Sequence, residues 1–98
     1  MTGGLDGAVF SRAPEVVDAR VGDVVVVLDP DTDRYARLNA TAALIWEQLE
    51  RPRELSALAE ALASRYGLPG DVARRQVEEL ITSLLDRGVV LRDDHPAR

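Results

Sequence analysis

The chain has no cysteine and one histidine, His95. Without cysteine there are no disulfides, zinc–thiolate centres or thiol nucleophiles. His95 stands in the polar run H-P-A-R after the last apolar segment, and a lone tail histidine lacks the positioned partner that acid–base or metal chemistry needs. Lysine is absent too: the 12 basic residues are all arginine, against 17 acidic ones, for a formal net charge of −5. That balance argues against a nucleic-acid partner, which clustered positive charge would attract. No window approaches the ~20 apolar residues of a membrane span. The start M-T-G-G-L-D-G has neither the basic nor the hydrophobic part of a secretory signal. A cytoplasmic location is expected, with no membrane partner, no metal and no cofactor.

What remains is 98 residues, enough for one domain with its own core but with little surface for an elaborate active site. Residues 1–14 carry glycine and no period, although Val9 and Phe10 could pin them to a surface; a flexible N-terminus is expected. Glu15 to Val21 and Asp23 to Leu28 are β-branched runs around Gly22-Asp23, the pattern of a hairpin. The second run has no polar interruption from Val24 to Leu28, as suits a central strand.

Next comes D-P-D-T-D-R, a turn in which Pro30 presets a position and the aspartates can bond their own backbone. Asp29, Asp31 and Asp33 alternate as calcium ligands do, but the glycine and closing glutamate of an EF-hand loop are missing. Tyr35 to Leu38 then reads as a short third strand, with Ala36 and Leu38 on one face and Tyr35 and Arg37 on the other. At the end of a meander it is expected to be an edge, and an edge leaves backbone groups unpaired.

Asn39 is a suitable cap for a helix from about Ala40 to Glu50, with Ala42, Ile45, Trp46 and Leu49 on one face. At that spacing Trp46 is assigned to the core rather than to ligand stacking. Arg51-Pro52-Arg53 ends this helix. A second helix, Glu54 to Tyr66, has the stripe Leu55, Leu58, Ala59, Leu62 and Tyr66 and stops at Gly67. A third and longest runs from Leu68-Pro69-Gly70-Asp71 to Arg87-Gly88. Its band of Ala73, Val77, Leu80, Ile81, Leu84 and Leu85 is wider than one packed face requires. Either the helix lies between two neighbours, or a flank around Ile81 and Leu85 lines a groove. Val89-Val90-Leu91 is an apolar exit that could pack or pair, and residues 92–98 read as a polar tail.

The expected fold class is therefore α+β: a three-stranded antiparallel sheet followed by three helices, like a winged helix-turn-helix with the sheet first. The folded domain is expected to span 15–91.

Val25-Val26-Val27-Leu28-Asp29, Arg34-Tyr35 to Leu38-Asn39 and Ala42-Ala43-Leu44-Ile45-Trp46-Glu47 together resemble the PqqD-like family. The likeness continues through Leu58, Ala59, Leu62 and Tyr66-Gly67 to Val77, Leu80, Leu84 and Gly88-Val89-Val90. Two positions depart from it: Asp33 stands where members often have glycine, and Ala36 where they often have an aromatic residue. The family consists of small RiPP recognition elements that hold the leader of a ribosomally made peptide while a partner enzyme modifies or cleaves it. The resemblance implies that a precursor leader adds as a strand to the third strand, with the third helix as the other wall. The expected peptide-binding residues are Arg34, Tyr35, Ala36, Arg37 and Leu38 on the edge, Val77, Ile81 and Leu85 in the wall, and Arg74 and Glu78 at the rim. It implies no catalysis by the chain itself, and a separate leader peptidase or modifying enzyme as partner, with lasso-peptide biosynthesis the preferred setting.

Four other readings stand beside this one. An enzyme would need paired carboxylates in a pocket, whereas Glu54, Glu60, Glu78 and Glu79 fall at helix-surface positions. A PqqD-type chaperone would present its peptide to a radical enzyme. A DNA-binding regulator would place Arg74-Arg75 on a recognition helix, against the negative charge and the order of elements. An adaptor would use the same edge for a partner protein or a second copy.

Overall fold

The computed structural model describes residues 7–93; His95 and the end of the polar tail lie outside them. The elements are β1 (Val9–Arg12), β2 (Val17–Val21), β3 (Val24–Asp29), β4 (Arg34–Leu38), α1 (Ala40–Gln48), β5 (Arg53–Glu54), α2 (Leu55–Tyr66), α3 (Gly70–Asp86) and β6 (Val90–Asp93).

The β-branched runs form the expected meander β2-β3-β4, all antiparallel. Gly22 takes φ +63° in the two-residue turn that pairs Val21 with Val24, a conformation glycine reaches without a Cβ clash. The uninterrupted β3 is the central strand, with Val25 and Val27 buried against the helices. Between β3 and β4 the acidic run closes on itself. Asp29 Oδ1 accepts from the Asp31 N–H at 3.0 Å, and its carbonyl from the Asp33 N–H at 2.8 Å. One of the three alternating carboxylates is thus engaged in the turn itself.

Asn39 caps α1, its Oδ1 accepting from the Ala42 N–H at 3.0 Å, which satisfies one of the orphan donors of the first turn. Ala42, Ala43, Ile45 and Trp46 are buried from α1, Leu55, Leu58, Ala59 and Leu62 from α2, and Ala73, Val77, Ile81 and Leu84 from α3. Gly67 ends α2 in the left-handed region at φ +65°, as its spacing implies.

The α+β class holds, but a second three-stranded sheet accompanies the meander, in the order β5-β1-β6. The N-terminal segment expected to be flexible contributes its middle strand. Val9 to Arg12 pair with Asp93 to Val90, and Phe10 is fully buried. The apolar exit Val89-Val90-Leu91 pairs, as one of its two readings had it, and Arg92 and Asp93, assigned to the tail, continue that strand.

Arg12 joins the two sheets. Its Nε and Nη2 donate to the Trp46 carbonyl at 3.1 and 2.7 Å, and its guanidinium lies 4.5 Å from the Trp46 ring centroid. Trp46 Nε1 donates to Asp18 Oδ2 at 2.7 Å, and Asp18 also lies 3.6 Å from Arg12. Trp46 is thus a core residue whose polar atom is satisfied, as a buried indole requires.

Candidate functional site

A strand edge without a neighbour lies beside a helix that stands off from it. Among the described residues β4 pairs with β3 alone, and α3 packs on α2 and β6 while scarcely touching β4.

Which backbone groups face the gap follows from the register. The tight turn makes Val21 and Val24 a hydrogen-bonded pair, so Val25, Val27 and Asp29 turn their backbone groups toward β4. Their partners Leu38, Ala36 and Arg34 turn back toward β3. Tyr35 and Arg37 therefore present their N–H and C=O groups to the free edge. One contact bears this out: Arg87, just past the end of α3, donates from Nη1 to the Tyr35 carbonyl at 3.1 Å.

The gap is a groove made of two joined depressions. One, of about 250 Å³, is lined by Ala36 to Asn39, Ala42, Leu80, Ser83, Leu84 and Arg87. The other, of about 360 Å³, is lined by Asn39, Thr41, Ala42, Ile45, Leu62, Gln76, Glu79 and Leu80. They share Asn39, Ala42 and Leu80. Apolar side chains, Leu38, Ala42, Leu80 and Leu84 among them, are interleaved along the groove with polar ones such as Asn39, Gln76 and Ser83. Ala36, a small side chain, lines the first of these depressions.

The edge half of the expected site is brought together on β4. Ala36 and Leu38 are buried on the inner face, and Arg34, Tyr35 and Arg37 are exposed. The helix half needs correction. Val77 and Ile81 are fully buried in the core, and Leu85 is half-buried against that core. With roughly 100° between successive helix residues, Leu80 and Arg87 lie to one side of the line Val77–Ile81–Leu84, while Arg74, Glu78 and Leu85 lie to the other. Arg74 and Glu78 pair with each other across one turn at 3.4 Å. The groove is on the first side, so its helical wall is Gln76, Leu80, Ser83 and Arg87. That stripe is mixed in polarity, and hydrophobic spacing could not select it; half-buried Leu80 is its one member in the apolar band.

The sequence profile of coenzyme PQQ synthesis protein D (PqqD) matches residues 25–90, more than half of the chain. The chain belongs to the PqqD family. Among solved structures, a lasso peptide synthetase B1 complexed with the leader peptide is 34% identical. It superposes with a TM-score of 0.74, over 84% of this chain and 96% of that one. TbiB1, solved in complex with the TbiA(beta) leader peptide, is 24% identical with a TM-score of 0.75, over 82% and 93%; at that identity it shows the shared fold alone. Among curated proteins no sequence matches. The PqqD match begins at Val25 and ends at Val90, so it takes in β4, α3 and the whole groove while leaving out β1 and β2.

Proposed function

We propose that this chain binds the leader segment of a ribosomally synthesised precursor peptide in the β4–α3 groove and presents it to a separate leader peptidase or modifying enzyme, without catalysing a reaction itself. The peptide adds as an antiparallel strand on β4. Its main chain bonds to Tyr35 and Arg37, and alternate side chains enter the depressions beside Leu38, Ala42 and Leu80. Strand addition draws affinity from main-chain hydrogen bonds and selectivity from such pockets.

The observation that carries this reading is the coincidence of a free edge with a facing helix wall that carries Leu80 and Leu84 in one groove. Support comes from the PqqD relative of 34% identity, a lasso peptide synthetase B1 solved with its leader. The same relative favours lasso-peptide biosynthesis as the setting over presentation to a radical enzyme. A DNA-binding role finds less support: Arg74 is paired with Glu78 and the net charge is −5, the wrong sign for phosphate contacts.

The test is fluorescence polarisation with the labelled leader of the precursor encoded beside the gene, for the wild type and Leu80→Glu. Saturable binding that Leu80→Glu loses, with its circular dichroism unchanged, is the expected result. A well-folded wild type that fails to bind that leader would overturn the proposal.

A further inference from the structure

The groove is charged unequally along its length. Around the β4 depression the lining includes Arg37 and Arg87 and no acidic residue. Around the other depression it includes Glu79 and no basic residue. In a chain of net charge −5, a cationic end runs against the overall trend and calls for a local reason.

Arg87 makes the reason specific. Its guanidinium occupies the Tyr35 carbonyl at 3.1 Å, an acceptor that an added strand would need for its own N–H. Among the described residues neither Arg87 nor Arg37 forms an ion pair. When a strand arrives, Arg87 gives up the carbonyl and is left at the groove mouth with its charge unmatched. One hydrogen bond replaces another at Tyr35, an exchange close to neutral. Any net gain then depends on what the peptide offers the released guanidinium. A carboxylate suits it best, since the planar fork binds both oxygens.

Direction fixes where in the peptide that carboxylate belongs. A strand antiparallel to β4 enters beside Leu38 and leaves beside Tyr35 and Arg34, so its C-terminal half passes Arg87 and its N-terminal half lies toward Asn39 and Glu79.

We infer that Arg87 covers the free edge in the empty protein and, once displaced, selects an aspartate or glutamate in the C-terminal half of the bound segment. Arg87 is thus a specificity-determining residue of the groove. The inference rests on the strand-addition reading above and extends it to the class of peptide that the groove takes.

The test uses a displayed library of random twelve-residue peptides, selected separately on the full-length wild type and on Arg87→Glu, with folding of both checked by circular dichroism. Wild-type selection is expected to enrich Asp and Glu over Lys and Arg in the C-terminal half of aligned binders, and Arg87→Glu to reverse that preference. One selected peptide is then resynthesised with its acidic residue changed to glutamine and measured against wild type and Arg87→Gln. For an exposed pair, each single change should weaken binding by about three- to fivefold, and the two together by no more than either alone. Binders without charge asymmetry, or fully additive losses, would overturn the role of Arg87 while leaving strand addition standing. Failure of the wild type to enrich any peptide would remove the capture reading, and this inference with it.

Discussion

Replacing Arg37 by proline and, separately, Leu38 by proline should separate binding from folding. Arg37 directs its N–H to the free edge, so proline there removes no native ladder bond, and edge positions of this kind are where sheets tolerate proline. Its side chain is exposed. The expected loss of folding stability is below about 1 kcal/mol. Binding should suffer much more. The incoming strand loses the donor for one of its carbonyls, which is worth about 1 kcal/mol as a net hydrogen bond, and the carbonyl is left desolvated without a partner. A total of about 2 kcal/mol corresponds to roughly a 30-fold rise in Kd. Leu38 is the opposite case. Its N–H points into the ladder opposite Val25, and its side chain is 3% exposed. Proline there should cost the fold about 3 kcal/mol or more, lowering Tm by about 12 °C or more for a domain of this size. Urea denaturation and fluorescence polarisation with the labelled leader read the two effects. If Arg37→Pro unfolds the protein while Leu38→Pro is as stable as the wild type, the register parity is inverted. If Arg37→Pro is stable and binds leader like the wild type, strand addition on β4 is refuted.

Three further substitutions probe how the groove is supported. Phe10→Ala should destabilise the fold by about 3–5 kcal/mol in chemical denaturation, because Phe10 is fully buried from the middle strand of the second sheet; a loss below about 1 kcal/mol would mean the N-terminal strand is not part of the core. Asp18→Ala should cost about 1–2 kcal/mol by leaving the Trp46 Nε1–H without its acceptor, and should shift the tryptophan emission; an unchanged spectrum and midpoint would count against that hydrogen bond. Asp33 holds φ +64°, so Asp33→Gly should raise stability by up to about 1 kcal/mol and Asp33→Val should lower it by about 1–2 kcal/mol; the reverse order would contradict the turn geometry.

Legibility in the sequence follows the range of the interactions concerned. The hairpin, the Asp29–Asp33 turn, the alternation of Tyr35 to Leu38 and the Asn39 cap are set by residues a few positions apart, and spacing revealed them. β1 leaves little local sign because, among the described residues, its sheet partners lie far along the chain: Phe10 faces Arg53 and Arg92, and a four-residue strand has too few residues to declare a period. Arg12 gave no sign of bridging to Trp46, since nothing local links them. On α3 the apolar band is wider than one packed face because the helix lies between α2 and β6, the first of the two readings that its width allows. The flank that does face β4 alternates Gln76, Leu80, Ser83 and Arg87, and a hydrophobic wheel is blind to such a stripe. The helix wall of the site was therefore the part that only three-dimensional packing could assign.

The sheet has two edges, and their difference explains why the proposed strand would choose one. On β2 the outward backbone groups belong to Asp18 and Arg20, by the same parity that assigns Tyr35 and Arg37 on β4. Both side chains point inward and are occupied, Asp18 with Trp46 and Arg20 in an ion pair with Glu47. Inward-pointing charges along an edge are a recognised way of discouraging another strand. Beside that edge the depressions between β2 and α1 are lined largely by charged side chains, Arg20, Asp23, Glu47 and Arg65 in one and Arg12, Asp18, Arg20 and Glu47 in the other, so a peptide added to β2 would gain main-chain bonds against a wall already filled with charges. On β4 the inward positions are Ala36 and Leu38, the facing wall carries Leu80 and Leu84 beside Ser83, and among the described residues the obstruction is a single guanidinium on one carbonyl. An obstruction of that kind can be exchanged at little cost, whereas Asp18 and Arg20 could be displaced only by stripping Trp46 of its acceptor and Glu47 of its partner. The same small domain thus closes one edge with charges tied to its core and leaves the other under a removable cover.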